Sequence, residues 1–161
     1  MSDSKLTHLV VFFLLIAATS CEEKVAPRVV ADAPVDFAKA IDIAARYDAG
    51  AKALVVSIAI APGFHAYTEG ETVGKPLKLV IAPGSPVEFK DPRYPSGTQK
   101  MLPIGRSMVV EGKSEIVAPL VLKGTAEPPP AGTAIRAQLS YQVCKETACD
   151  RPRTLDLELS T

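Results

Sequence analysis

Short runs of alternating apolar and polar residues, cut off by proline or glycine, are the feature that most limits what this chain can fold into. The clearest two close the sequence. Ala137, Leu139, Tyr141 and Val143 alternate with Gln138, Ser140, Gln142 and Cys144, the period of a half-buried strand. Leu155, Leu157 and Leu159 then alternate with Asp156, Glu158 and Ser160. The link between the runs carries Cys144 and Cys149, which places both thiols near the turn of an expected antiparallel hairpin. If the register holds to the turn, Cys144 points away from the Leu139 and Tyr141 face.

The same punctuation runs through the middle of the chain. Residues 53–61 (ALVVSIAIA) form the best core strand, with β-branched residues on both faces and Pro62-Gly63 as its stop. Further strands are expected at 64–67, at 77–81 before Pro83-Gly84, at 87–89, and at 108–111 and 114–122 around Gly112. Pro119 places the last of these towards a sheet edge, because it has no N–H to give the ladder. Residues 91–105 read as an irregular, proline-bearing loop. Residues 35–47 mix alanines that favour helix with an alternation of Phe37, Ile41, Ile43, Ala45 and Tyr47, and we read them as strand. Seven or eight short strands without a convincing long helix imply an all-β fold, a β-sandwich, in one domain over 35–161.

The front of the chain has a different character. Lys5 and His8 precede an apolar run at 9–18 (LVVFFLLIAA) that is too short to span a bilayer but suits a signal peptide over 1–20. Ala18-Thr19-Ser20-Cys21 then resembles a bacterial lipobox, with Cys21 as the lipidation site and Ala18 where leucine is usual. An ordinary signal peptide, cut nearby, is the alternative. Residues 21–34 (CEEKVAPRVVADAP) are polar and Pro-bearing, a tether between membrane and domain. Three cysteines are an odd number for a secreted chain. Lipid on Cys21 would leave Cys144 and Cys149 as an isolated pair in the bacterial cell envelope, on the periplasmic side, where disulfides persist.

Bulk charge carries no function. Lys plus Arg and Asp plus Glu are 18 each, so no basic footprint for nucleic acid exists. Residues 70–76 (GETVGKP) fail as a phosphate loop, since no Ser or Thr follows Lys75 and a proline stands where a helix should begin. His65 is the only histidine once His8 leaves with the signal peptide. That excludes a multi-histidine zinc site and leaves a copper-type cluster of His65, Met101 or Met108 with a cysteine thiolate as a minor alternative. No nucleophile-elbow pattern accompanies His65, and a hydrogen-bonded loop histidine beside aromatics is the bland reading. No metal and no cofactor is expected.

Cys144 and Cys149 are therefore the active candidates, either as a structural staple or as an exchange pair. The chain-entropy model gives a six-residue loop only about 2 kcal/mol, against about 5 for a hundred-residue one. A bond across a turn is also open to in-line attack by a partner thiolate. Lys145, Arg151 and Arg153 outnumber Glu146 and Asp150 nearby, which favours thiolate.

Gly63-Phe64-His65-Ala66-Tyr67, Gly74-Lys75-Pro76-Leu77-Lys78-Leu79, Tyr94-Pro95, Glu111-Gly112-Lys113-Ser114-Glu115-Ile116 with Pro119, and Tyr141-Gln142-Val143-Cys144 through Cys149 to Pro152 together resemble the amino-terminal periplasmic domain of the thiol:disulfide interchange protein DsbD family and its stand-alone relatives. The segments keep the family's order over about 36–159. The resemblance implies an immunoglobulin-like fold and a cysteine pair that cycles between dithiol and disulfide, a thiol:disulfide oxidoreductase activity. It implies partners too: a membrane-embedded or thioredoxin-like donor, and acceptors among envelope oxidoreductases or in cytochrome c biogenesis. It gives Cys149 the mixed-disulfide role and makes Tyr67, His65 and Tyr141 line the site. Val110 or a neighbour stands where the family has an aromatic shield. The membrane and thioredoxin-like domains of full-length relatives do not follow here, so separate partners are expected. The competing reading is a non-catalytic lipoprotein adaptor with a structural disulfide.

Overall fold

Asp48 turns the first hairpin. Its Oδ1 accepts the Ala51 N–H at 3.0 Å and Lys52 takes φ 51°, so β1 (Ile41–Asp48) folds back on β2 (Ala53–Ile60) in register from Ile41↔Ile60 to Asp48↔Ala53. A computed structural model describes residues 35–161 except Val73, Ile104 and Thr147. The expected signal peptide over 1–20 and the whole tether over 21–34, Cys21 included, lie outside the described residues. The remaining strands are β3 (His65–Tyr67), β4 (Lys78–Ile81), β5 (Val87–Phe89), β6 (Thr98–Leu102), β7 (Gly105–Val110), β8 (Lys113–Leu122), β9 (Ala134–Tyr141), β10 (Val143–Lys145), β11 (Ala148–Cys149) and β12 (Arg153–Ser160). Among the described residues there is no helix.

The strands form three antiparallel sheets, ordered β1-β2-β8-β5, β11-β10-β3-β7-β6 and β12-β9-β4. Leu54, Val56, Ile58 and Ile60 of β2 and Ile116, Ala118 and Leu120 of β8 meet Leu79 of β4, Ile135, Ala137 and Leu139 of β9, and Ala66 and Val110 of the remaining sheet in one aliphatic core. Each fully buried Leu or Ile is worth about 1.5–3 kcal/mol over its exposed state. This is the all-β sandwich that the alternation implied, of the immunoglobulin-like kind that the family resemblance implied. Of the strand expected over 35–47, the part from Ile41 on is β1, where Ile41, Ile43, Ala45 and Tyr47 turn inward while Asp42, Ala44 and Arg46 are exposed; residues 35–40, Phe37 among them, lie in no strand.

Three local expectations change. The loop expected over 91–105 contains β6, an edge strand whose residues Thr98, Gln99 and Met101 are exposed; with Leu102 its one apolar side chain packed inward, it shows no apolar alternation. Pro119 lies inside its sheet, because β8 sits between β2 and β5. Its ring is tolerated because Lys90 N donates to Pro119 O at 2.8 Å and Arg93 and Val117 bond each other in both directions. The missing N–H falls where the chain between Lys90 and Arg93 bulges, with Asp91 at φ 48°.

The third change creates the site. β9 and β12 pair from Ala134↔Ser160 to Tyr141↔Arg153, as the final hairpin requires, but the pairing stops at Gln142. Beyond it the chain changes sheets: β10 joins β3 with Cys144↔His65 and Val143↔Ala66. Gln142 Nε2 donates to Asp150 O at 2.8 Å and Asp150 N donates to Val143 O at 2.9 Å, so the two arms stay tied where the ladder breaks.

Candidate functional site

Cys144 and Cys149 are direct cross-strand partners on β10 and β11, bonded as a disulfide with Cα atoms 4.0 Å apart. The tip between them turns through Glu146 at φ 49°. Their environments differ sharply. Cys144 is 0 % exposed, whereas Cys149 is exposed on the outermost strand of its sheet.

Cys144 belongs to a small second cluster with Tyr67 and Val109, against which Leu102 packs. The Tyr67 hydroxyl donates to Cys144 Sγ at 3.7 Å. Burial, and then the Glu71 carboxylate, push the Tyr67 phenol above its ordinary value, so the hydroxyl keeps its proton and remains a donor. The His65 ring meets Tyr67 edge-on, with centroids 5.6 Å apart and planes at 85°. The β3 alternation puts His65 and Tyr67 on one face and Ala66 on the other.

Two glycines allow this packing. At Gly74, φ 69°, an added Cβ would stand 2.5 Å from the Tyr67 ring and 2.8 Å from Gln142 Oε1. At Gly97, φ 69°, it would stand 2.3 Å from Thr68 Cγ2 and 2.9 Å from Val109 O. The loop carrying Gly74 is pinned on both sides: Lys75 N donates to Gln142 Oε1 at 2.9 Å, and Met108 N donates to Glu71 Oε2 at 2.7 Å.

The structure brings together Cys144, Cys149, Tyr67 and His65 but not every expected lining residue. Val110 turns into the main core, paired with Ala66, and its neighbour Val109 faces the sulfur cluster. Tyr141 packs against the main core, opposite Arg153. Gln142, which joins the loop of Gly74 to the cysteine arm, and Val109 were not singled out from sequence. The Tyr-Gln-x-Cys segment contained the first, and the second needed the β3–β7 register. Two of the cations counted near the thiols have partners of their own: Arg153 Nε bonds Asp150 Oδ2 at 2.6 Å and Lys145 Nζ sits 5.8 Å from the Phe64 ring centroid.

A cavity of about 420 Å³ opens beside His65 and the tip of the cysteine arm, lined by His65, Lys100, Met101, Leu102, Glu111 and Glu146 among others and by neither cysteine. His65 and Met101 share it, yet no group of three or more His, Cys, Asp or Glu side chains among the described residues is arranged to hold a metal. A somewhat larger recess of about 470 Å³ lies over the solvent side of β1, β2 and β8. It contains no cysteine or histidine, and its polar lining (Asp42, Ser57, Lys113, Ser114, Glu115) offers no redox chemistry.

The family model for the thiol:disulfide interchange protein DsbD, N-terminal, matches residues 31–161. Among solved structures, the reduced Neisseria meningitidis DsbD amino-terminal domain is similar at 18 % identity, covering 80 % of this chain and 90 % of that one with a TM-score of 0.58. The complex between the DsbD and PilB amino-terminal domains of the same organism gives 20 % identity, coverage of 81 % and 88 %, and a TM-score of 0.54. At such identities the likeness is one of fold. No curated protein sequence matches the chain.

Proposed function

The chain belongs to the DsbD amino-terminal family, and from that premise we propose that it is a periplasmic thiol:disulfide exchange domain, tethered through lipid on Cys21, that relays electrons between a membrane-embedded or thioredoxin-like donor and envelope proteins. The observation that supports this most is the inequality of the two sulfurs. A donor thiolate can reach exposed Cys149 in line, whereas Cys144 is closed off beneath Tyr67 and Val109. Attack on Cys149 Sγ forms the mixed disulfide and breaks the Cys144–Cys149 bond, and the electron pair leaves on Cys144 Sγ. Attack by the donor's second thiolate then frees Cys149 and completes the two-electron reduction. In the acceptor step Cys149 attacks the acceptor's disulfide, and Cys144 resolves the product.

The test is capture. A thioredoxin-like partner lacking its resolving cysteine, its remaining cysteine activated as the mixed disulfide with 5-thio-2-nitrobenzoate, should form a stable mixed disulfide with Cys144→Ser, expelling thionitrobenzoate, and little with Cys149→Ser. Equal capture by both variants would remove the division of roles. Capture by neither, with the disulfide unreduced by the intact partner, would favour a structural staple in an adaptor.

A further inference from the structure

Cys144 is where the exchange chemistry meets a physical difficulty. When the disulfide opens, charge appears on a sulfur with no solvent exposure, and a buried anion without a partner is costly. Tyr67 offers a hydrogen bond at 3.7 Å but holds its proton too tightly to give it away. The other candidate is His65. It stands directly opposite Cys144 in the β3–β10 register, a relation that sets Cβ atoms roughly 4.5–5.5 Å apart. It is 4 % exposed, and its Nε2 is buried with no hydrogen-bond partner among the described residues. An unpaired nitrogen at this depth calls for a role.

We propose that His65 is the proton partner of Cys144, giving a proton to the leaving thiolate when the disulfide opens and taking it back when Cys144 resolves a mixed disulfide. This deepens the exchange reading above and rests on it. In the opening step the attacking thiolate bonds to Cys149 Sγ and the S–S pair of electrons passes to Cys144 Sγ. A proton then moves from the His65 imidazolium to that sulfur, and solvent reprotonates the ring through the adjoining cavity. In the resolving step the neutral imidazole accepts the Cys144 proton. The thiolate attacks Cys149 Sγ and expels the partner's thiolate, so atoms and charges balance in both directions.

The charged surroundings leave the ring able to serve both steps. From β6 and the end of β7, Lys100 and Glu111 act on it with opposite sign and are ion-paired to each other. Glu146 of the cysteine tip lines the same cavity, Tyr67 flanks the ring on its own strand, and Lys145 is held over Phe64. Burial is the largest influence and holds the imidazole below its ordinary value near 6.5. In the oxidised protein His65 is therefore neutral at pH 7 and becomes an acid as pH falls.

The experiment follows disulfide opening in the full chain by reduced glutathione, with rates divided by the glutathione thiolate concentration at each pH. Positioned proton transfer is worth about 10²–10⁴-fold in favourable cases, and a thiolate is a weakly basic leaving group, so about tenfold is expected. The wild-type rate constant should rise about tenfold from pH 8 to pH 5, His65→Gln should stay flat, and Tyr67→Phe should keep the rise. The same profile in wild type and His65→Gln would overturn the inference while leaving exchange intact. No opening at any pH in either protein would sink the exchange reading itself. Should His65→Gln fail to fold, the wild-type ring titration by NMR decides: its midpoint should move up on reduction, and an unchanged midpoint contradicts the pairing.

Discussion

The molecule holds two apolar clusters, and a single pair of strands divides them. On β3, Ala66 faces the large core and Tyr67 the small cluster; on β7, Val110 faces the large core and Val109 the small one. The buried members of the large core are all Leu, Ile, Val and Ala, whereas the small one holds a sulfur and a phenol beside a histidine. The buried members of the aliphatic side have no group that can ionise or change redox state, so they contribute stability alone. The sulfur side has few buried members, so it contributes less stability, and in the proposed exchange it would set the conditions under which the disulfide opens. The pleat lets one strand serve both without mixing them.

That division is breakable by substitution. The largest effect should come from the aliphatic side: Leu139→Ala should cost about 2–5 kcal/mol in urea unfolding yet leave the reduction potential of the surviving folded protein unchanged. A moved potential would mean the clusters communicate. Next is Gly74→Ala, which forces an L side chain to φ 69° and against the Tyr67 ring. About 1–3 kcal/mol is expected from the backbone alone, together with faster glutathione attack as Tyr67 is pushed off Cys144. A stability loss without a kinetic change would show that Tyr67 does not shield the sulfur.

Tyr67→Phe keeps the ring and removes the donor to Cys144 Sγ. It should cost about 0.5–1.5 kcal/mol and slow opening of the disulfide, because the leaving thiolate loses a hydrogen bond; unchanged opening would assign the hydroxyl to packing alone. The smallest effect belongs to Asp150. The hydrogen bond from Arg153, followed by weaker backbone and charge contributions, holds its carboxyl below the usual 3.8. With the folded value depressed, the contribution is fully present above the unfolded value and lost as pH falls through the folded one. Asp150→Asn should therefore match wild type in urea midpoint near pH 2 and fall slightly below it at pH 6, with salt narrowing the gap. A gap that persists at pH 2 would point to packing rather than charge.

The aliphatic side was legible in sequence and the sulfur side only in part, for a physical reason. Residues such as Leu54, Ile58, Ile116 and Leu139 belong to strands whose alternation or apolar run declares a buried face. The cysteine pair was visible through its spacing. Its neighbours Tyr67 and His65 came only from the family resemblance, because Tyr67 and Cys144 stand 77 residues apart and meet only after β10 changes sheets at Gln142. A uniform alternation through residues 137–144 gives no sign of that break. The choice between Val109 and Val110 likewise depends on the β3–β7 register, which no local pattern states. β6 escaped notice because an exposed edge strand need not alternate, and Pro119 was misplaced because the bulge that accommodates it lies on a different strand.

The proposed exchange requires the disulfide between exposed Cys149 and buried Cys144 to work by opening. Its equilibrium reduction potential, measured by thiol trapping in redox buffers, tests this most directly. A value within the range of thioredoxin-like exchange proteins, roughly −270 to −120 mV, is expected. A value below about −300 mV, resistant to their reductants, would make the bond a staple and contradict the proposed exchange.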